Sequence, residues 1–228
     1  MESRSSSRDF RAPAKINWHL AVGARRSDGF HELRSLFETI DLCDTLTITV
    51  QPHGDAPVLS LQTPAGIPND ERNTIAKADA ELRRLLPQLP AISVALKKEI
   101  PHEAGLGGGS SDAACYLHAV NELLQLNLPL DALAQLALEV GSDVPFFLTG
   151  GRARGAGRGE IVTPLPDAPV VEVLLIMPAA TAERVDGGPS AKPQPPPPAP
   201  HSFAPHAPAA RAPPSSASIS GVETTGAS

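Results

Sequence analysis

The chain has 228 residues, with 19 lysines and arginines against 25 aspartates and glutamates, a formal net charge of −6. That balance, with no basic stripe, argues against nucleic acid as a partner, and no apolar run reaches the length of a membrane span. Two cysteines, Cys43 and Cys115, form neither a disulfide framework nor a metal-ligand pattern, so no metal-binding residues are expected and a reducing, cytoplasmic location fits best.

Taken in order, residues 1–9 are polar, lack the apolar core of a secretory signal, and are expected to be a disordered N-terminus. Residues 10–22 read as a strand and 23–29 as a turn-rich loop. Residues 33–42 and 46–50 read as two further strands. In the second, Leu46, Ile48 and Val50 alternate with threonines, and 58–61 is a candidate partner for it. Residues 73–86 carry helical apolar spacing with Asn73 as cap. Residues 92–97 form a strand that runs into a glycine-rich loop. Two helices are expected at 113–126 and 130–140, the second ended by Gly141, and 144–148 and 170–177 read as buried strands. Strands and helices mix without regular βαβ spacing, which favours α+β. Residues 181–228 contain eleven prolines and few large apolar groups, too little to offset ordering entropy, so 179–228 is expected to be a disordered tail.

The loop at 101–112 reads Pro-His-Glu-Ala-Gly-Leu-Gly-Gly-Gly-Ser-Ser-Asp. Its glycines permit close backbone approach and positive φ, and Ser110, Ser111 and Asp112 offer cap oxygens to the following helix. A flexible loop before a well-capped helix is one reading. The other is a phosphate cradle, where free N–H groups and the helix dipole point at an anion. A Walker A loop would need Gly-Lys-Ser/Thr, but Ser110 follows Gly109. A dinucleotide fingerprint starting at Gly105 would need glycine where Ser110 stands.

Three separated stretches carry a resemblance. They are this loop, the segment Pro13-Ala14-Lys15-Ile16-Asn17 with residues 26–33, and Gly141-Ser142-Asp143-Val144-Pro145-Phe146-Phe147. Together they resemble the GHMP kinases over residues 9–178. The resemblance implies the family's N-terminal domain, related to ribosomal protein S5 domain 2, over 10–178, with the family's C-terminal domain largely missing from the tail. It implies ATP and Mg²⁺ as cofactors and a small-molecule acceptor, a cytidine diphosphate-linked methylerythritol, phosphorylated on its 2-hydroxyl. It carries no implication for oligomeric state.

The resemblance also distributes roles. ATP would be held by Pro101, Gly105, Leu106, Gly107, Gly108, Gly109, Ser110 and Ser111, with Asn73 near the adenine. Asp143 reads by position as a cap or turn residue; the family makes it the base that takes the acceptor proton. Lys15 reads as a snorkelling side chain; the family makes it Asp143's partner, keeping the carboxylate ionised and stabilising the developing alkoxide. His31 reads as solvated surface and Phe30 as its neighbour; the family uses this pair to recognise cytosine by hydrogen bonding and stacking. Asn17 would touch substrate or steady Lys15.

Overall fold

The computed structural model describes residues 7–25, 29, 31–51 and 58–177. Two long strands, β1 (Ser7–Arg25) and β2 (His31–Val50), form the spine. They pair antiparallel along almost their whole length, from Ser7 opposite Thr49 to Arg25 opposite His31. β1 begins at Ser7, inside the stretch expected to be disordered, and runs to Arg25, through part of the expected loop. The two strands expected at 33–42 and 46–50 are one strand, because β1 supplies hydrogen-bond partners throughout.

That strand changes phase. Its buried residues are Ser35 and Phe37, then Asp44, Leu46 and Ile48. Between them Pro13 faces Cys43 and Ala14 faces Ile40, so Asp41 and Leu42 are extra residues on β2. A bulge of this kind interrupts the two-residue period and re-aims the side chains after it. It turns Asp44 into the interior.

The other side of β2 pairs antiparallel with β4 (Ile92–Lys97) and with β5 (Arg152–Ala156), and β5 pairs with β6 (Ile161–Pro164). β3 (Leu59–Gln62) pairs parallel with β4 rather than with β2 as expected, since β4 already occupies that side of β2. Helices α1 (Thr74–Leu85), α2 (Gly108–Leu123), α3 (Leu130–Val140) and α4 (Val144–Thr149) pack in the same core as the sheet's buried face. Ile75, Leu82, Leu46, Ile48, Tyr116, Leu117, Val120, Leu133 and Phe146 fill it. Each such side chain removed from water contributes on the order of 1.5–3 kcal/mol.

Three expectations change. Residues 144–148 are helix α4, not a strand: a short apolar run has no diagnostic period, and Pro145 sits in its first turn, where a missing N–H costs nothing. Residues 170–177 are extended but unpaired, and Val170, Leu174 and Ile176 are exposed. α2 starts at Gly108, inside the glycine loop, with Gly107 as its cap, so Ser110 and Ser111 lie at the end of its first turn and Asp112 follows them inside the helix, none of the three being a cap. Asn73 does cap α1, its side-chain oxygen accepting from Ile75 N at 2.9 Å. Residues 178–228, including the expected tail, lie outside the described residues.

Candidate active site

The glycine loop is wedged between β4, β1 and α1. Gly105 and Gly107 have φ of +74° and +73°, which places the loop's turn where a side chain would be strained. Between them Leu106 is buried against Ala14 and Ile100, and its carbonyl accepts from the backbone N–H of Lys15 at 2.9 Å. Thr74, the first residue of α1, donates its hydroxyl to Gly109 O at 2.6 Å. The loop therefore joins β1 to α1. Asn73 lies one residue away, with its amide committed to the cap and to Pro68 O. Pro101 leads into the loop after Ile100, whose N–H donates to Asp44.

The α2 N-terminus opens under this turn, with the first helical bond from Ser111 N to Gly107 O at 2.9 Å. The hydroxyl oxygen of Ser111 is buried without a hydrogen-bond partner. A buried polar atom left unpaired costs about 1–3 kcal/mol, so a partner is wanted there. Free N–H groups, a positive dipole end and an orphaned hydroxyl together suit an anion.

Lys15 and Asp143 meet beside the loop. Lys15 Nζ is 3.9 Å from Asp143 Oδ2, and Lys15 is almost buried while Asp143 is about a third exposed. Burial lowers the Lys15 pKa, and the charge of Asp143 works against that shift. The ammonium also donates to Asn17 Oδ1 at 2.6 Å, and Asn17 passes the chain on to Ser35 Oγ at 2.7 Å and His19 O. The ring of Phe37 lies 5.5 Å from Lys15 Nζ, a cation–π contact. Asp143 occupies the cap position of α4, between the Gly141 end of α3 and the apolar Val144. Opposite it is the β5–β6 turn, where a Cβ on Gly159 would sit 3.5 Å from Asp143 Oδ1.

The structure thus brings together Lys15, Asn17, Asp143 and the loop from Leu106 to Ser111. His31 is set apart in a cavity of about 380 Å³ lined by Leu33, Leu138, Gly141, Ser142 and Arg158, and its Nδ1 lies 3.0 Å from Gly23 O. Ser142 and Gly141 connect that cavity to Asp143 along the chain. Phe30 lies outside the described residues. Among the described residues no three His, Cys, Asp or Glu side chains cluster as a metal site would require. A loop cradling a phosphate, with a carboxylate and an ammonium beside it, has the parts for moving a phosphoryl group onto a hydroxyl.

Sequence reasoning missed a second charged group. Asp44, Lys98 and Asp112 come from β2, the end of β4 and α2, and only the bulge in β2 brings Asp44 inward. An isolated Asp in a strand and a Lys before a loop give no signal of such a pairing.

Comparison with known proteins gives this arrangement a family. The model of the GHMP kinases N terminal domain matches residues 73–151, and the chain carries the N-terminal domain of that family. Within it, the 4-diphosphocytidyl-2-C-methyl-D-erythritol kinase of Exiguobacterium sibiricum is 43% identical over 176 residues, 77% of this chain and 61% of that protein. The kinase of the same name from Geobacillus kaustophilus is 42% identical over 76% of this chain and 60% of its own length. A crystal structure of 4-(cytidine 5'-diphospho)-2C-methyl-D-erythritol kinase superposes with a TM-score of 0.60 at 39% identity, covering 69% of this chain and 55% of that one. Homoserine kinase from Cytophaga hutchinsonii, at 22% identity and a TM-score of 0.54, shares the fold over 73% of this chain and 54% of its own. The chain spans about 60% of the length of these curated relatives.

Proposed function

We propose that this chain transfers the γ-phosphoryl group of ATP to the 2-hydroxyl of 4-diphosphocytidyl-2-C-methyl-D-erythritol. The observation that carries the reading is Lys15 and Asp143 at 3.9 Å beside a glycine loop on a helix N-terminus. The names of the relatives at 42–43% identity supply the acceptor. In this reading the N–H groups of Gly107 to Ser110 and the Ser111 hydroxyl hold phosphate oxygens. Asp143 accepts the proton of the acceptor hydroxyl, and Lys15 stabilises the alkoxide as it forms. Asn17 holds the ammonium in place through its side-chain oxygen. His31, which shares a cavity with Gly141 and Ser142, would read the cytosine by hydrogen bonding, and Phe30 would offer it a stacking face. Pro101, Gly105, Leu106 and Asn73 shape the ATP side. Mg²⁺ would enter as the ATP complex. The chemistry is cytoplasmic and needs neither a membrane nor nucleic acid.

The assay is ADP release with the cytidyl substrate, with mevalonate and homoserine as controls. Turnover on the cytidyl substrate alone is expected; turnover on a control without it overturns the acceptor. A second reading keeps the loop without the transfer: a nucleotide-binding chain with no turnover, since positioning supplies most phosphoryl-transfer catalysis and Lys15 Nζ and Asp143 Oδ2 stand 3.9 Å apart, beyond hydrogen-bond distance. Calorimetric binding of MgATP with no ADP release would establish that reading in place of the first.

A further inference from the structure

We propose that filling the glycine loop with a phosphate anion is coupled to protonation of Asp112, so that the Lys98–Asp44–Asp112 cluster sets how tightly the loop holds its anion near neutral pH. The inference rests on the phosphate reading of the loop, and concerns residues outside the Lys15–Asp143 pair.

The geometry is a shared ammonium. Lys98 Nζ donates to Asp44 Oδ2 and, at 2.9 Å, to Asp112 Oδ2. Asp44 is fully buried, and its other oxygen is filled by the N–H groups of Glu99 at 2.6 Å and Ile100 at 2.9 Å. Asp112 is also buried, but its Oδ1 has no partner. Two carboxylates thus share one lysine, and the oxygen left over is on Asp112. When both are ionised the cluster carries a formal charge of −1.

The cluster sits against the anion end of α2. Lys98 Nζ would be 3.0 Å from a Cβ on Gly108, the first residue of the helix. Asp112 is one turn further on, on the same face. The other charged groups around it are accounted for. On α2 itself Cys115 has its thiol pushed up to about 12, by burial first and then by Asp112 and Cys43 of β2, so it stays neutral. On α1, Asp79 turns to Arg83 and Tyr116. On β1, Lys15 faces Asp143 and Asn17, and the Arg11 guanidinium reaches Asp41 O. Asp131 and Glu139 of α3 are exposed, and α4 has no ionisable side chain.

Burial pushes the Asp112 carboxyl up to about 7; Lys98 pulls it back and Asp44 adds to the rise. A group poised there changes charge across the neutral range. An anion arriving one helical turn away disfavours its ionised form. By linkage the bound state takes up a proton and the affinity falls as pH rises.

The test is calorimetry of MgATP binding at pH 7.5 in buffers of different ionisation enthalpy, because this complex has no phosphate proton of its own to exchange there. Uptake of roughly 0.3–0.6 proton per nucleotide is expected for a coupling of about one pKa unit, with Kd rising about 3- to 10-fold between pH 6 and 8.5. Asp112→Asn, which keeps a carbonyl for Lys98, is expected to bind MgATP with no proton uptake and a flat Kd. An infrared difference spectrum of the unmutated protein should gain a carboxylic-acid C=O band on binding, whether or not the variant folds. Binding without uptake, or uptake with no such band, overturns the coupling and leaves the phosphate loop standing. No MgATP binding at all overturns both.

Discussion

A Cβ on Gly107 would lie 2.6 Å from Cζ of Phe147 and 3.1 Å from Cγ of Lys15, at a φ of +73°. Gly107→Ala therefore strains the backbone and drives the Phe147 ring and the Lys15 stem apart. A loss of about 2–4 kcal/mol is expected from the left-handed φ and overpacking together, read by denaturant unfolding, with MgATP binding weakened in the folded fraction. Gly109→Ala is the control: its Cβ meets only Thr74, at 3.3 Å, with an ordinary φ, so a stability change under about 1 kcal/mol is expected. Asp112 makes a pH prediction of its own. Its folded pKa is raised, so between about pH 4 and 7 the folded state binds more protons than the unfolded one and stability falls as pH rises. The stability of Asp112→Asn relative to the parent should improve by on the order of 1–2 kcal/mol from pH 5 to pH 7. Parallel curves for the two proteins would contradict this.

At the scale of elements, the legible features were those set by short-range chemistry. The Asn73 cap, α3 with its Gly141 end, β4 and the glycine loop were read from the sequence because cap residues, apolar spacing and glycine runs act locally. Asn73→Ala should cost about 1–2 kcal/mol, since it frees Ile75 N and Pro68 O at once; a calorimetric melt checks it. What escaped was decided by partners far along the chain. β2 is one strand because β1 pairs with all of it, and β3 chose β4 because β2 was already taken. The α4 segment has four apolar residues, Val144, Phe146, Phe147 and Leu148, that fit strand or helix equally, and Pro145 was the overlooked sign of a helix start. The same division runs through the site. Lys15, Asp143 and the loop were found as motifs, whereas the Asp44–Lys98–Asp112 cluster depends on a bulge at Asp41 and Leu42 that alternation alone does not announce.

At the scale of the whole molecule, the sheet's second face carries exposed apolar side chains among the described residues. Trp18, Leu20 and Val22 on β1 are about half exposed, and Ile16, Trp18, Ile40 and Leu42 line a groove of about 680 Å³ with residues 167–173 and Leu175. Exposed apolar surface of this kind favours association, so light scattering at rising protein concentration should show an increasing mean mass. A concentration-independent monomer would contradict that expectation. The proposed transfer, by contrast, would use the covered face, where loop, ammonium and carboxylate converge. The most direct test follows transfer of the labelled γ-phosphoryl group from MgATP to the cytidyl substrate in the parent and in Asp143→Ala side by side. Transfer by the parent is expected, slowed about 10²- to 10⁴-fold by loss of the base, with the MgATP Kd unchanged within twofold. Equal transfer rates in the two proteins would contradict the assignment of Asp143 and, with it, the reading of this site.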